Sequence, residues 1–272
     1  MGFRELGKEL LDLAYPSSLY CICCGKIIDE SRVYRLCDKC NEEIKWSNVR
    51  TCKKCGKLLS DINPSEFCFN CRENEHEFDR GFTICEYNEH ARSIVLSLKY
   101  GGRTDIAKSI AEMMSDKMQM IKESKSHVIN DSKSQGNSKD RYGEYDIALP
   151  VPMFKDKRKK RGFNQASLIA REFVKYQNIK CGEYYIQRVK DSIPMRGLKP
   201  VERIENINGA FRLTSYAKEL RGKRILLIDD IYTTGATLDE ISRLLRNVKP
   251  SKVDILTFAA GADVLKEEEL AL

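Results

Sequence analysis

Residues 225–238 read Ile-Leu-Leu-Ile-Asp-Asp-Ile-Tyr-Thr-Thr-Gly-Ala-Thr-Leu, an order that suits a phosphate site. The apolar run from Ile225 to Ile228 predicts a buried strand. Two carboxylates, Asp229 and Asp230, follow at its C-terminal end, where α/β sheets open their ligand crevice. The turn through Thr233, Thr234, Gly235, Ala236 and Thr237 then opens a helix. Free backbone N–H groups and the helix dipole attract an anion there, and three threonine hydroxyls add donors. Two carboxylates beside an anion cradle would repel the ligand unless something uncharged lies between. A ribose does so: its hydroxyls donate to Asp229 and Asp230 while its 5-phosphate occupies the turn. A plain βα turn with Thr and Asp as caps is the competing reading. The complete string after a buried strand favours the ribose phosphate.

The second chemistry-bearing pattern is made of cysteines. Eight of the eleven form four C-x-x-C pairs: Cys21 and Cys24, Cys37 and Cys40, Cys52 and Cys55, Cys68 and Cys71. Twelve, eleven and twelve residues separate successive pairs, an internal repeat of two ribbons. A C-x-x-C turn offers two thiolates to one tetrahedral ion, and zinc takes four such ligands at about 2.3 Å. Gly25 and Gly56 follow the first and third pairs, where a positive φ relieves the turn. Two closed, structural zinc sites are expected, paired in sequence order or interleaved. Four pairs in series outside a βαβ context argue against a thioredoxin-like redox role. Cys23 sits inside the first turn as a competing ligand. Cys85 and Cys181 read as buried small hydrophobes.

Strands alternating with helices must position these groups. A strand is expected at Phe82–Tyr87, then a helix marked by Ala91, Ile94, Val95 and Leu98 and stopped at Gly101-Gly102. Ile106, Ile110, Met113, Met114, Met118 and Ile121 continue at helical spacing as core. Residues 122–141 turn to Lys, Ser, Asn, Asp and Gly and read as a mobile insertion. Asp146–Pro152 reads as a buried strand leaving into a turn at Val151-Pro152. A basic loop follows, Lys155 to Gly162, then a helix with Leu168, Ile169, Phe173 and Tyr176. Leu238, Ile241, Leu244 and Leu245 mark the helix after the threonine turn, and Val253–Phe258 a last strand. The alternation predicts an α/β unit with a mostly parallel sheet and helices on both faces. Residues 1–77 form an N-terminal helix (Phe3, Leu6, Leu10, Leu13) and the double ribbon, and residues 78–272 the α/β domain.

Forty-seven Lys+Arg against 40 Asp+Glu leave a charge of +7 on 272 residues, an excess that favours anionic partners. No apolar run approaches the ~20 residues that span a bilayer. Glu5, Glu9 and Asp12 interrupt any secretory core. A cytoplasmic protein that binds metal rather than forming disulfides is expected.

The Asp229–Thr237 string resembles the phosphoribosyl pyrophosphate (PRPP) motif of type I phosphoribosyltransferases. Joined to a cysteine ribbon and to Arg161-Gly162-Phe163-Asn164-Gln165, it resembles the ComF family of competence-associated, amidophosphoribosyltransferase-like proteins over almost the whole chain. Leu98-Lys99-Tyr100 with Gly102-Arg103 also matches, as do Arg203, Asn206 and Gly209-Ala210-Phe211. The family commonly carries a Gln ahead of the Arg203–Phe211 block, where this chain reads Pro194-Met195. The resemblance implies that Asp229 and Asp230 hold the ribose 2- and 3-hydroxyls and that Thr233 to Thr237 cradle the 5-phosphate. It further implies that Val151 and Pro152 approach the pyrophosphate, and that the basic loop covers it, with Arg158 and Arg161 beside a Gly162 hinge. Mg²⁺ is expected to bridge the diphosphate, and no nucleophilic residue is required. Two function classes follow. One is a PRPP-binding phosphoribosyltransferase. The other is a nucleic-acid-binding or scaffold component of DNA uptake, in which the basic run grips single-stranded DNA or a partner without turnover.

Overall fold

The computed structural model describes residues 19–131, 144–191 and 207–264. The expected N-terminal helix lies outside them, as do Pro194-Met195, Arg203 and Asn206.

Two hairpin knuckles begin the described chain. Antiparallel bridges Tyr20–Ile27 and Thr51–Leu58 close them. Gly25 and Gly56 take φ of +73° and +76°, so that their N–H groups donate to Cys21 O and Cys52 O. In each ribbon the second cysteine pair lies at the start of a short helix. These are α1 (Asp38–Glu43), entered at Cys37, and α2 (Phe69–Glu73), entered at Cys68. Each ligand of the second ribbon stands 31 residues after its counterpart in the first.

The body is a parallel sheet of five strands: β1 (Arg80–Glu86), β2 (Ile147–Pro150), β3 (Lys180–Cys181), β6 (Arg224–Tyr232) and β7 (Lys252–Ala260), in the order β1-β7-β6-β2-β3. β4 (Ile186–Arg188) and β5 (Phe211–Leu213) pair antiparallel outside it. The helices are α3 (Glu89–Tyr100), α4 (Ile106–Asp131), α5 (Lys155–Arg161), α6 (Gln165–Gln177) and α7 (Ala236–Arg246). Asn88 starts α3 by accepting from the Ala91 N–H, and the Gly101-Gly102 pair ends it.

Alternation along β6 divides the core. Leu226 and Ile228 face one layer with Ile94, Leu98, Met114 and Phe173, whereas Ile225 and Leu227 face the other with Leu238, Ile241 and Leu245. The two ribbons divide in the same way. Cys21 and Cys40 pack into the first layer, and Cys52, Cys55 and Cys68 into the second. Between the ribbons Trp46 bridges Cys85 on β1, so the ribbons straddle the edge strand and cover it. At the second ribbon Gly56 and Gly81 meet so closely that a Cβ on Gly56 would lie 2.7 Å from Gly81 O.

Two expectations need correction. The basic run is a helix, α5, and not a loop. It carries no apolar residue and so no periodicity to read, and Gly162, at φ +89°, ends it as a C-cap. Residues 122–131 extend α4, because Lys, Glu and Ser are tolerated along a helix as well as in a loop. The remainder of the expected insertion lies outside the described residues. Cys85 is buried as expected and Cys181 is half-buried.

Candidate functional site

β6 carries Asp229 and Asp230 to the C-terminal edge of the sheet, and α7 begins three residues beyond the strand, after Gly235. Gly235 takes φ +92°, which L-residues avoid. A Cβ there would also stand 2.9 Å from the Tyr232 hydroxyl and 3.0 Å from His76 Cε1. The turn therefore presents backbone rather than side chain to the crevice, which is what close approach of a phosphate requires.

A cavity of about 310 Å³ opens here. Its lining unites all of Asp229, Asp230, Thr233, Thr234, Gly235, Ala236 and Thr237 with Val151, Pro152 and Arg161. It also includes Lys99, Lys157, Gln165 and Arg188. Gly162 stands outside the lining. Arg158 lines an adjoining cavity of about 580 Å³ with Lys155 and Tyr184.

The Arg161–Gln165 segment ties three elements together. Asn164 caps α6 by accepting from the Ala166 N–H, and its amide donates to Val151 O at 2.9 Å, which anchors the β2 turn. Gln165 Nε2 donates to Asp230 Oδ1 at 3.0 Å, while its Oε1 accepts from Arg161 Nη1 at 2.6 Å. The Arg161 guanidinium lies 5.0 Å over the Tyr100 ring. From the far side Lys99 Nζ stands 2.5 Å from Asp230 Oδ2.

These contacts divide the two carboxylates. Burial acts to raise the Asp230 pKa, but the Lys99 charge and the bonds from Lys99 and Gln165 outweigh it and hold the carboxyl below its ordinary value. Burial, and then the charge of Asp230, push Asp229 well above its own. Asp229 accepts from the Asp230 N–H at 2.9 Å. Asp230 is thus held toward its ionised form beside Lys99 and Asp229 toward its protonated form, a bias that hydroxyl donors or a cation would oppose. Burial draws the Arg188 guanidinium down, against Asp191 and Asp229. The oxygen donors in this lining suit Mg²⁺, and no described lining residue offers a thiol or imidazole.

The metal sets resolve the pairing left open by spacing. Cys21, Cys24, Cys37 and Cys40 gather in one set, and Cys52, Cys55, Cys68 and Cys71 in the other, with ligand atoms within 4.8 Å of one another. Cys24 and Cys37 sulfurs stand 3.8 Å apart, and Cys55 and Cys68 sulfurs 3.7 Å. Four sulfurs at 2.3 Å around a tetrahedral ion are spaced by about 3.8 Å, so both sets fit zinc. Cys23 approaches Cys40 and His90 in a three-member group that shares one ligand with the first set.

Lys157 lies in the basic run expected over the pyrophosphate, whereas Lys99, Gln165 and Arg188 carry no site assignment in the sequence. Lys99 and Gln165 fall in the Leu98–Tyr100 and Arg161–Gln165 strings, but no spacing rule assigns them to Asp230. His76, behind the turn, gave no motif at all.

Two domain families match the chain: Phosphoribosyl transferase domain over residues 159–269, and Double zinc ribbon domain over residues 10–85. Competence protein F of Haemophilus influenzae is 27% identical over 220 residues, covering 81% of this chain and 88% of that protein. DNA utilization protein YhgH of Salmonella typhimurium is 25% identical over 210 residues, 77% of this chain and 83% of its own length. Competence protein ComFC of Streptococcus pneumoniae is 23% identical over 224 residues, 82% and 86% of the two chains. Among solved structures, glutamine PRPP amidotransferase from B. subtilis, complexed with ADP and GMP, aligns with a TM-score of 0.33 and 15% identity. That alignment covers 60% of this chain and 30% of the enzyme.

Proposed function

We propose a function from one premise: the chain belongs to the ComF family, which joins a double zinc ribbon to a phosphoribosyltransferase-fold domain. Its crevice binds PRPP and positions it for transfer of the phosphoribosyl group. The observation that carries this reading is the single cavity joining the Asp229-Asp230 pair to the Gly235 turn at the end of β6. Thr233–Thr237 and the α7 N-terminus hold the 5-phosphate. Asp229 and Asp230 accept from the ribose hydroxyls, with Lys99 and Gln165 keeping Asp230 ionised and oriented. Val151 and Pro152 face the diphosphate. Lys157, Arg161 and Arg188 supply positive charge on that side of the cavity.

In the transfer an incoming nucleophile forms a bond to ribose C1, and the bond from C1 to pyrophosphate breaks with its electron pair leaving on oxygen. The protein places the reactants and stabilises the growing charge on the leaving group. Asp229 and Asp230 would help the diphosphate hold Mg²⁺, which would supply further charge neutralisation. A screen for pyrophosphate release from PRPP over bases and amines tests transfer. Release that depends on one acceptor class and disappears in Asp229→Asn supports it. PRPP bound without release from any acceptor confines the function to binding.

The names of the relatives suggest a setting in DNA uptake or use. One feature favours direct contact with nucleic acid. Lys155, Arg158, Lys159 and Lys160 are exposed on α5, and none of them lines the crevice that Lys157 and Arg161 line. Such a face binds phosphate backbone with steep salt dependence. Both roles fit one short helix, with one flank on PRPP and the other on single-stranded DNA.

A further inference from the structure

We propose that the second zinc ribbon is the rear wall of the phosphate turn. Metal held by Cys52, Cys55, Cys68 and Cys71 and a sugar phosphate held at Thr233–Thr237 then stabilise each other through Asn70 and His76. This coupling rests on the proposed ribose-phosphate site.

Asn70 lies between Cys68 and Cys71 of the second cysteine set, on the turn that an ion held there would fix. Its side-chain N–H group donates to Thr234 O at 3.4 Å and approaches His76 Nε2 at 3.4 Å. His76, whose side chain is 1% exposed, leaves the ribbon and turns under the loop. Its Nδ1 stands 2.7 Å from Asp239 Oδ2, and its Nε2 3.3 Å from the Tyr232 hydroxyl. The Glu77 N–H donates to the other Asp239 oxygen at 2.9 Å. Both oxygens of a first-turn residue of α7 are thus held by the segment that leaves the ribbon. His76 thus faces Asp239 through Nδ1 and both Tyr232 and Asn70 through Nε2, which fixes the ring between α7 and the turn. Phe78 stacks on His76 at 4.9 Å and meets Tyr232 edge-on, closing the cluster. At Gly235 no side chain fits between the turn and His76.

The first ribbon supplies an internal control. Its described contacts include Ser93 of α3 to Cys23 O, Tyr34 to Asp116 of α4, and Arg35 to Asp105 just before α4, on the opposite face of the sheet. Two ions of similar ligand chemistry therefore differ in their connection to the site. If a ligand at the turn orders Thr234 and the start of α7, it orders Asn70 and His76, and the linkage is reciprocal.

The test uses the full chain with both zinc ions, and ribose 5-phosphate as the probe. Zinc transfer to a chromogenic chelator is followed with and without the probe, while calorimetry measures probe binding independently. The expected result is that the probe slows loss of one ion by at least about fivefold, the lower end of ordinary site-to-site coupling, and leaves the other unchanged. His76→Ala should abolish that protection and His76→Gln, which retains a donor for Asp239, should restore part of it. Should His76→Ala not fold, Asn70→Ala carries the same comparison. Calorimetric binding with no change in either ion's release overturns the coupling and leaves the proposed site standing. Undiminished protection in both His76→Ala and Asn70→Ala also overturns it. Absence of any binding overturns both readings.

Discussion

Lys99 Nζ lies 2.5 Å from Asp230 Oδ2, and the two side chains are only 18% and 4% exposed. A cation from the end of α3 thus compensates a carboxylate of β6 beside a second, raised carboxyl. Burial alone would lower the Lys99 pKa, but Asp230 outweighs it and holds the ammonium above its ordinary value.

Removing that cation should cost stability as well as binding. Breaking a buried ion pair from one side typically costs 3–5 kcal/mol, because the other charge is left uncompensated. Lys99→Met is expected to lose about 3 kcal/mol in urea unfolding. Adding Asp230→Asn should return part of that loss, since the stranded charge is then gone. Equal losses in the single and double variants would mean that Lys99 stabilises by packing alone.

The raised Asp229 carboxyl sets a direction for pH dependence. A ligand that brings hydroxyl donors and Mg²⁺ favours the ionised form, so binding should release a proton. Affinity should rise with pH while Asp229 is protonated in the free protein and level off once it is ionised there. Calorimetry of Mg²⁺-PRPP in buffers of different ionisation enthalpy measures this. Asp229→Asn should remove the released proton, and proton uptake by the native protein would contradict the assignment.

Helix α5 should divide by face. Arg161→Ala and Lys157→Ala are expected to weaken PRPP binding by about tenfold each, the scale of one charge-assisted hydrogen bond. Arg158→Ala and Lys155→Ala should leave it nearly unchanged. If the outer face grips single-stranded DNA, each lost contact there reduces the salt slope by about 0.7. A uniform loss of PRPP affinity across all four positions would dissolve the division.

Much of this site was legible because its chemistry is local in sequence. Asp229 through Thr237 form one strand-turn-helix unit, and four cysteine pairs need only a turn each. The cysteine pairing itself required the fold, since twelve- and eleven-residue gaps allow more than one arrangement. What escaped was contributed from a distance. Lys99 reaches Asp230 from α3, and His76 reaches Asp239 across 163 positions. Neither carries a spacing signal, because the sheet order and not the chain brings them together. The basic run escaped as a helix because a wholly polar helix has no periodicity.

Metal removal should reach beyond the ribbons. Cys21 and Cys40 pack with β1 and α3 in one layer, and Cys52, Cys55 and Cys68 with β6 and β7 in the other. Structural zinc contributes on the order of 10 kcal/mol of folding energy in small modules. Elemental analysis should find two zinc ions per chain, and chelation should lower hydrogen-exchange protection in β1 as well as in both knuckles. Full protection of β1 in the metal-free protein would make the ribbons independent of the sheet.

The central claim is that the cavity at the end of β6 holds the ribose and 5-phosphate of PRPP. Its most direct test is calorimetric titration of the native chain and of Asp229→Asn with Asp230→Asn, using PRPP and Mg²⁺. Saturable binding of one PRPP per native chain, weakened at least about tenfold in a double variant that retains its fold, is the predicted result. Equal affinity in the two proteins, or no binding to the native chain, would contradict it.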